Sequence, residues 1–384
     1  MAGPVASRVS WVLDHEYSAA IGLAAGVAAA LTWSATSTSY FTLSTSRSSW
    51  YLLRVLEVNT VHDGVVNGLM AVFFFAMGLE LSRELSTGVL AHPKHAVPPI
   101  LGAVGGMLAT ALGSVLLGHL AHSGALRRGW GVPMATDVAF TLGVLAIAGR
   151  RLPPLLRVFL LTLAITDDVL SVVVLSVSGT THVRLDGLVT LMVVAVLGAF
   201  VARRATGSVA NVTLLVLLWL CFAWANVEPA LAGVLAGVLV STHAPSRERL
   251  ERGAARVSVG VVLPLFALVA CGLHWDKVRL SGAVGTVIIA TIALRLVGKT
   301  LGITAGVAVA RLLRFRLDPS LTWPLVVTTA LLCAIGFTVP LLFATKLFGA
   351  QSALYAGYAL GLLISSAIAA LVGGALLRAR RGPE

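Results

Sequence analysis

Charged residues are scarce in this chain of 384 residues, at 11% of the total, whereas hydrophobic residues make up 58%. A soluble globular protein carries roughly a quarter charged residues. The deficit excludes an ordinary cytosolic enzyme and a disordered protein. It also excludes a nucleic-acid binder despite a net charge of +12, because the basic residues lie mostly between long apolar runs.

Cysteine is also rare, since the chain has three, Cys221, Cys271 and Cys333, each inside an apolar segment. This placement is typical of small buried side chains and argues against a disulfide framework or a resident metal site. No cleavable signal pattern precedes the first apolar run, so we expect 1–16 to form a retained cytoplasmic N-terminus.

Long apolar runs recur along the whole chain. A membrane-spanning helix needs about 20 mostly apolar residues, and we predict an all-α polytopic membrane protein with about twelve spans. The predicted spans are 17–33, 64–82, 96–120, 131–149, 154–177, 186–202, 209–226, 228–241, 253–273, 280–310, 323–345 and 353–377. Asn226, Glu228 and Pro229 divide the long run 207–243 into two. The Ser- and Thr-rich stretch 34–62 is expected to form a loop between the first two spans, either without regular structure or with a short hairpin.

The distribution of lysine and arginine predicts the orientation of the chain in the membrane. With the N-terminus inside, 18 of the 28 basic residues fall on inner segments and 8 on outer loops. This bias predicts that both termini are cytoplasmic. The last residues, 378–384, form a basic cytoplasmic tail that is expected to anchor the final helix at anionic lipid headgroups.

A few ionisable side chains fall deep inside the predicted spans. They are Asp137, Asp167, Asp168, Arg295 and Lys299. Charge in the bilayer core is costly, so such residues indicate function by default. An interhelical ion pair that only fixes packing needs one carboxylate and one base, and three carboxylates exceed that need.

The adjacent carboxylates Asp167 and Asp168 project about 100° apart on one helix. One can pair with Lys299 on a facing helix while the other faces a cavity. A carboxylate of that kind can bind either a proton or a small hard cation, which is the chemistry of a cation/proton exchanger. Thr136 and Thr166 are possible hydroxyl ligands, unless each hydroxyl bonds back to its own helix.

Helix-breaking residues interrupt two of the predicted spans. Gly336 and Pro340 flank Thr338 in the middle of the eleventh span, which predicts a discontinuous helix there. The fourth span gives a weaker signal, since Gly131 and Pro133 lie only at its start.

If both spans unwind, Asp137 would offset the positive half-helix ends and Lys299 the negative ones. Interrupted helices at the centres of spans 3–5 and 10–12 are typical of inverted repeats around a transport site.

Seven short motifs carry a family resemblance. They are GLMAVFF at 68–74, MGLELSREL at 77–85, ATDVAF at 135–140, LAITDD at 163–168, LPLFA at 263–267, GKTLGI at 298–303 and GFT at 336–338. In this order, which covers spans 2 to 11, they resemble the NhaA-type sodium/proton antiporter family.

The resemblance implies a single integral transporter domain over 1–384, with twelve helices and crossing broken helices 4 and 11. It also implies electrogenic exchange of cytoplasmic Na+ or Li+ for external H+ across the plasma (inner) membrane. The implied assembly is a pH-regulated homodimer in the lipid bilayer, with no cofactor and no nucleic-acid partner.

The resemblance also assigns roles to individual residues. The cation and proton site would be formed by Asp167 and Asp168 with Asp137 and Thr136, and the transported Na+ or Li+ would bind Asp168 and Asp167. Lys299 would pair with Asp167, and Lys299 and Asp137 would balance the half-helix ends. The cytoplasmic pH response would belong to Glu80, Glu84 and Glu251.

Four departures from the family pattern affect regulation and affinity. Asn67 replaces a residue that is usually acidic, and 252–256 lacks the usual histidines. Ala270 replaces an expected asparagine, and Pro340 replaces a small polar residue.

Arg295 is a further departure, because it adds a cation four residues before Lys299 on nearly the same helix face. Two cations at this depth repel each other, so Arg295 needs a partner. We predict that Asp137 is that partner and that Arg295 modulates cation affinity. The alternative is that Arg295 turns to backbone carbonyls of a broken helix.

Other functions are compatible with parts of this pattern. A sodium-coupled solute or organic-anion carrier could use Arg295 to seat an anion. An intramembrane aspartyl protease is disfavoured, because no aspartate here follows Gly-x-Gly and a lysine counter-charge hinders a shared-proton dyad. A channel is disfavoured because a buried carboxylate–lysine pair would trap ions.

Overall fold

The computed structural model describes residues 4–46, 60–91, 93–148, 153–179, 184–204, 208–240, 247–315 and 317–380. Within these ranges the chain is helical and contains no β-strand. Some of the basic residues behind the predicted orientation lie outside them, and so does the end of the basic tail. Those residues are Arg47, Arg54, Arg150, Arg151, Arg316 and Arg381.

The helices are numbered here in chain order. The first six are α1 (Pro4–Thr36), α2 (Ser39–Ser44), α3 (Val61–Ser86), α4 (Pro93–Leu120), α5 (Gly124–Arg128) and α6 (Val138–Ala148). The next five are α7 (Pro154–Gly179), α8 (Leu185–Arg204), α9 (Ser208–Trp224), α10 (Ala230–Leu239) and α11 (Arg247–Ala270). The last four are α12 (Gly282–Leu312), α13 (Trp323–Leu332), α14 (Thr338–Phe348) and α15 (Ala353–Ala379).

Seven helices in the described ranges are long and apolar enough to cross a membrane. They are α1 from Ser18 onward, α3, α4, α7, α11, α12 and α15. The other predicted spans fall on the shorter apolar helices α6, α8, α9, α10, α13 and α14. Length and composition therefore describe a multi-pass membrane protein.

Helix boundaries agree with the predicted division of 207–243. Helix α9 ends at Trp224 and α10 begins at Ala230. Asn226, in the connection, adopts a left-handed backbone with φ 56°. The stretch 34–62 differs from the predicted loop, because α1 continues to Thr36 and the short α2 follows; residues 47–59 lie outside the described ranges.

The chain divides into two compact units. One comprises Met1–Ala24, His92–Ser171 and Leu273–Glu384, and the other comprises Ala25–Ala91 and Val172–Gly272. The first unit contains all five deep ionisable residues, and the second contains the three glutamates predicted to give the pH response.

Glycines bring α4 and α12 close together in the first unit. A side chain at Gly105 would meet the backbone of Gly302, and a side chain at Gly302 would meet the backbone of Gly105. Small residues at such crossings let helix backbones approach closely. The crossing lies next to Lys299 along α12, so it fixes the position from which that side chain extends.

The second unit packs α3, α9, α10 and α11 around a common apolar core. Its members include Phe75, Leu79, Leu218, Phe222 and Leu250. This core orders the helices that carry the predicted pH-response residues.

Candidate functional site

The fourth predicted span is interrupted immediately before Asp137. Residues 134–137 are not helical, and α6 begins only at Val138. Gly131 and Pro133 lie in the turns at 129–133, which lead directly into this segment, so the non-helical stretch runs from 129 to 137. The break therefore includes the glycine and the proline that the sequence offers, and it extends to Thr136 and Asp137.

The eleventh predicted span is interrupted between α13 and α14, over residues 333–337. Gly336 lies in this interruption and Thr338 is the first residue of α14. Pro340 was expected to break the helix, and this prediction is wrong: Pro340 lies within α14, as its third residue. Proline is tolerated in the first turn of a helix, where the missing N–H leaves no bond unmade.

The two non-helical segments contact each other directly. The backbone N–H of Asp137 donates to the carbonyl of Ile335 at 2.9 Å. The hydroxyl of Thr136 lies 3.0 Å from the carbonyl oxygen of Cys333. Ser366 on α15 accepts a 3.0 Å hydrogen bond from the backbone of Gly336. These contacts satisfy part of the backbone that unwinding exposes inside an apolar layer.

Two buried cations on α12 supply further donors to the unwound backbone. Arg295 and Lys299 lie in a π-helical turn, 294–299, and both are fully buried. Lys299 Nζ donates to the carbonyl of Met134. Arg295 donates from Nε to Ala334 O at 2.9 Å, and from Nη1 to Ala135 O at 3.0 Å and Pro133 O at 3.2 Å. π-Helical turns are frequent at functional sites.

The predicted pairing of Arg295 with Asp137 is wrong. Both residues lie in described parts of the chain and no ion pair joins them; the guanidinium binds backbone carbonyls of both broken helices instead. The physical reason is that unwinding creates carbonyl acceptors whose geometry suits the donors of a planar guanidinium. Arg295 also lies near the C-terminal end of α13, through its bond to Ala334 O, and positive charge is favoured at such an end.

Asp167 and Lys299 form the buried ion pair that the family resemblance implies. Asp167 Oδ2 lies 2.7 Å from Lys299 Nζ and 2.7 Å from the hydroxyl of Thr136, and all three side chains are buried. Asp167 Oδ1 has no hydrogen-bond partner among the described residues. The pair thus leaves one carboxylate oxygen available.

Asp168 differs from the other side chains of the site in its lack of hydrogen-bond partners among the described residues. It is 1% exposed, and neither of its carboxylate oxygens has a hydrogen-bond partner in the described part of the chain. Its neighbour Asp167 pairs with Lys299, whereas Asp168 projects about 100° away on the same helix and does not reach that lysine. A buried carboxylate without donors is stable only when a proton or a cation neutralises it.

Asp137 caps the N-terminus of α6. Its Oδ1 accepts the backbone N–H of Phe140 at 3.2 Å, as an N-cap carboxylate does. This position places negative charge at the positive end of the half-helix. Asp137 Oδ2 has no partner among the described residues.

The threonines behave differently from one another. Thr136 lies in the non-helical segment and reaches Asp167, whereas Thr166 donates to Thr162 O in its own helix at 2.7 Å. Sequence reasoning missed Ser366, because nothing in an apolar helix distinguishes a serine that bonds to another segment from one that bonds to its own.

The predicted pH-response residues lie in the second unit, each near an arginine on its own helix. Arg83 Nη2 lies 3.2 Å from Glu80 and 3.9 Å from Glu84. Arg247 Nε lies 2.8 Å from Glu251.

Arg247 also joins two helices of the second unit. It is buried, and it donates to Leu79 O at 2.9 Å and Val240 O at 3.1 Å. The sequence pattern did not single out Arg247.

Asn67 lies in a π-helical turn of the same unit, and its backbone carbonyl accepts a 2.9 Å hydrogen bond from Trp219 Nε1.

Replacing Gly336 with alanine is expected to lower the thermal stability of the protein. The added Cβ would lie 2.5 Å from Arg295 Nη2 and 2.8 Å from Ala135 O, so the crossing must shift. Overpacking of this kind costs about 1–3 kcal/mol. The measurement is the melting temperature of the purified protein in detergent.

Gly298→Ala is the matched control, because the nearest atom to the added Cβ is Leu294 Cδ2 at an ordinary 3.6 Å. We expect its melting temperature to stay at or above that of the wild type. Equal melting temperatures for Gly336→Ala and the wild type would show that the crossing is not tightly packed.

Known proteins match this chain over most of its length. The family profile described as Na+/H+ antiporter 1 matches residues 10–377. The Na(+)/H(+) antiporter NhaA 2 of Kineococcus radiotolerans is 37% identical over 405 residues, which cover 98% of this chain and 87% of the relative. The NhaA antiporter of Frankia casuarinae is 36% identical, with 98% of this chain and 88% of the relative covered.

A third relative, the NhaA antiporter of Yersinia pseudotuberculosis, is 37% identical over 322 residues, with 81% of this chain and 80% of the relative covered. All three names describe transporters. The profile match over nearly the whole chain, together with these identities, shows that the chain belongs to the Na+/H+ antiporter family.

Proposed function

We propose that this protein exchanges cytoplasmic Na+ or Li+ for external H+ by alternating access, and that it serves pH and sodium homeostasis. Family membership supports the reaction, since its named relatives are Na+/H+ antiporters. The observation that carries the proposal is Asp168, a buried carboxylate whose two oxygens lack hydrogen-bond partners among the described residues.

Asp168 is suited to bind a proton and a cation in turn. The neutral carboxylic acid is the favoured form in an apolar surrounding when no cation is present. A hard monovalent cation such as Na+ or Li+ neutralises the carboxylate equally well and prefers oxygen ligands. Because one carboxylate cannot hold both, loading of one ion expels the other.

Asp167, Lys299 and Thr136 prepare the site for this exchange. The ion pair and the Thr136 hydroxyl hold Asp167 Oδ2, while Oδ1 remains available beside Asp168. Asp137 would contribute negative charge from the N-terminus of α6. Arg295, which binds the carbonyls of both broken helices, would modulate the site by holding the crossing together.

The proposed architecture has twelve spans and two inverted repeats, spans 3–5 and 10–12, in a single transporter domain over 1–384. Two interrupted helices, each the middle member of its predicted repeat, support this arrangement. We assign the protein to the plasma (inner) membrane as a homodimer with both termini cytoplasmic. The distribution of basic residues supports the orientation of the termini.

The pH response is assigned to Glu80, Glu84 and Glu251. Their ion pairs with Arg83 and Arg247 support this assignment, because each pair places a carboxylate beside a basic group on the same helix. Asn67, in place of an acidic residue, removes one titratable group from this set.

Everted membrane vesicles test the proposed reaction. Respiration acidifies the vesicle interior, and a fluorescent pH dye reports the gradient. We expect NaCl or LiCl alone to dissipate the gradient in vesicles that contain the protein, and not in vesicles that lack it. A requirement for an added organic solute would instead indicate a sodium-coupled solute or organic-anion carrier.

A further inference from the structure

Ser171 is a buried hydroxyl one helical turn beyond the two adjacent aspartates of α7. The side chain is 0% exposed, and Oγ has no hydrogen-bond partner in the ranges that the structure describes. A buried hydroxyl without a partner loses its hydration without replacement, which is unfavourable. Such a group in a native site calls for an explanation, and a bound ion is one of the usual ones.

Several other buried hydroxyls of the first unit bond back to their own helices, although those of Thr162, Thr291 and Thr329, like that of Ser171, have no partner among the described residues. Thr110 donates to Gly106 O at 3.0 Å, Thr300 to Leu296 O at 2.7 Å, and Ser365 to Leu362 O at 3.0 Å. This is the ordinary behaviour of serine and threonine inside a helix. Ser171 departs from it, so its oxygen is free to act as a ligand.

Helix geometry places Ser171 between the two carboxylates. At about 100° per residue, Ser171 projects roughly 40° from Asp167 and roughly 60° from Asp168, one turn further along α7. Residues three and four apart on a helix are neighbours. Thr162, another α7 hydroxyl without a partner among the described residues, projects about 120° or more from either aspartate.

We propose that Ser171 Oγ is a ligand of the transported cation, together with the carboxylate of Asp168 and Oδ1 of Asp167, and that it strengthens the binding of Na+ more than that of Li+. This inference rests on the proposed exchange function. The four oxygens share two properties, since all belong to buried side chains and none has a hydrogen-bond partner among the described residues.

A neutral hydroxyl affects the two cations unequally. Selectivity between hard cations depends on cavity size and on the number of ligands. Na+ is larger than Li+ and accommodates more oxygens, so the additional ligand contributes more to Na+ binding. Removal of Ser171 Oγ therefore shifts the preference towards Li+.

Ser171→Ala tests the proposal in everted vesicles, with the half-maximal concentration of NaCl and of LiCl measured at one fixed pH. We expect the half-maximal Na+ concentration to rise about five- to tenfold, as for loss of one polar contact. The half-maximal Li+ concentration should rise less than about twofold, and the maximal rates should be retained. Ser171→Cys, whose sulfur is a poor ligand for hard cations, should give the same shift at nearly constant size.

Ser365→Ala is the matched control, since Ser365 is equally buried and its hydroxyl already has a partner in α15. It should change neither half-maximal concentration. Unchanged values in both Ser171 variants, or equal shifts for Na+ and Li+, would overturn the role of Ser171 and leave the proposed function intact. If the wild-type protein exchanges neither cation, the proposed function itself fails.

Discussion

Replacing Asp168 with asparagine is expected to abolish Na+- and Li+-dependent proton movement in everted vesicles. The amide keeps the shape of the carboxylate, but it neither titrates nor neutralises a bound cation. Asp168 has no donor among the described residues that could substitute for either ion. The measurement is dequenching of a pH dye after addition of NaCl or LiCl, at matched expression.

Asp167→Asn is the natural comparison, because it makes the same change at the adjacent, equally buried position. The amide oxygen of asparagine can still accept from Lys299 and Thr136, which lie 2.7 Å from Asp167 Oδ2. We therefore expect reduced exchange instead of complete loss. Normal exchange by Asp168→Asn would refute the assignment, and equal loss in both variants would mean that the two carboxylates share one role.

Replacing Lys299 with alanine is expected to produce the largest loss of stability in the protein. The change leaves the buried carboxylate of Asp167 without its cation and the carbonyl of Met134 without its donor. Breaking a buried ion pair by removal of one partner costs roughly 3–5 kcal/mol. We expect a clear fall in melting temperature in detergent, accompanied by loss of exchange.

A second variant separates loss of the pair from loss of packing. Lys299→Ala combined with Asp167→Asn removes the uncompensated charge, so the double variant should melt above Lys299→Ala alone. The coupling between the two positions is then read from the double-mutant cycle. Additive effects on melting temperature, or no effect of Lys299→Ala, would contradict a direct interaction between Asp167 and Lys299.

Apolar periodicity and length predict the positions of the helices well, because burial in lipid requires long apolar runs. The interruptions are harder to predict. Gly336 marks the break between α13 and α14, but Pro340 lies inside α14. The break before Asp137 depends on tertiary contacts, since Ile335 O accepts from the Asp137 backbone and donors on α12 bind the exposed carbonyls.

The ionisable residues of the site can be found from the sequence, whereas their partners cannot all be found. The free-energy cost of a charged side chain in the bilayer core identifies Asp167 and Lys299 as functional candidates, and it predicts that opposite charges form ion pairs. The same reasoning assigns Arg295 to a carboxylate, yet its acceptors are the carbonyls of Pro133, Ala135 and Ala334. Those acceptors exist only because two helices unwind side by side.

The hydrogen-bond partners of serine and threonine side chains are equally hard to predict from the sequence. Most serines and threonines in apolar helices bond to their own backbone, as Thr166 does. Sequence alone does not reveal that Ser366 instead bonds to Gly336, nor that Ser171 lacks a partner in the described part of the chain. Both features depend on the three-dimensional surroundings of the side chain.

Release of protons on cation binding tests most directly whether Asp168 holds a proton and a cation in turn. Purified wild-type protein and Asp168→Asn are placed in weakly buffered detergent solution, and a pH dye is followed while NaCl, LiCl or choline chloride is added. Alternate binding of a proton and a cation at Asp168 predicts proton release from the wild type with Na+ and Li+ but not with choline, and none from Asp168→Asn. Cation binding by the wild type without proton release, or undiminished release from Asp168→Asn, would contradict it.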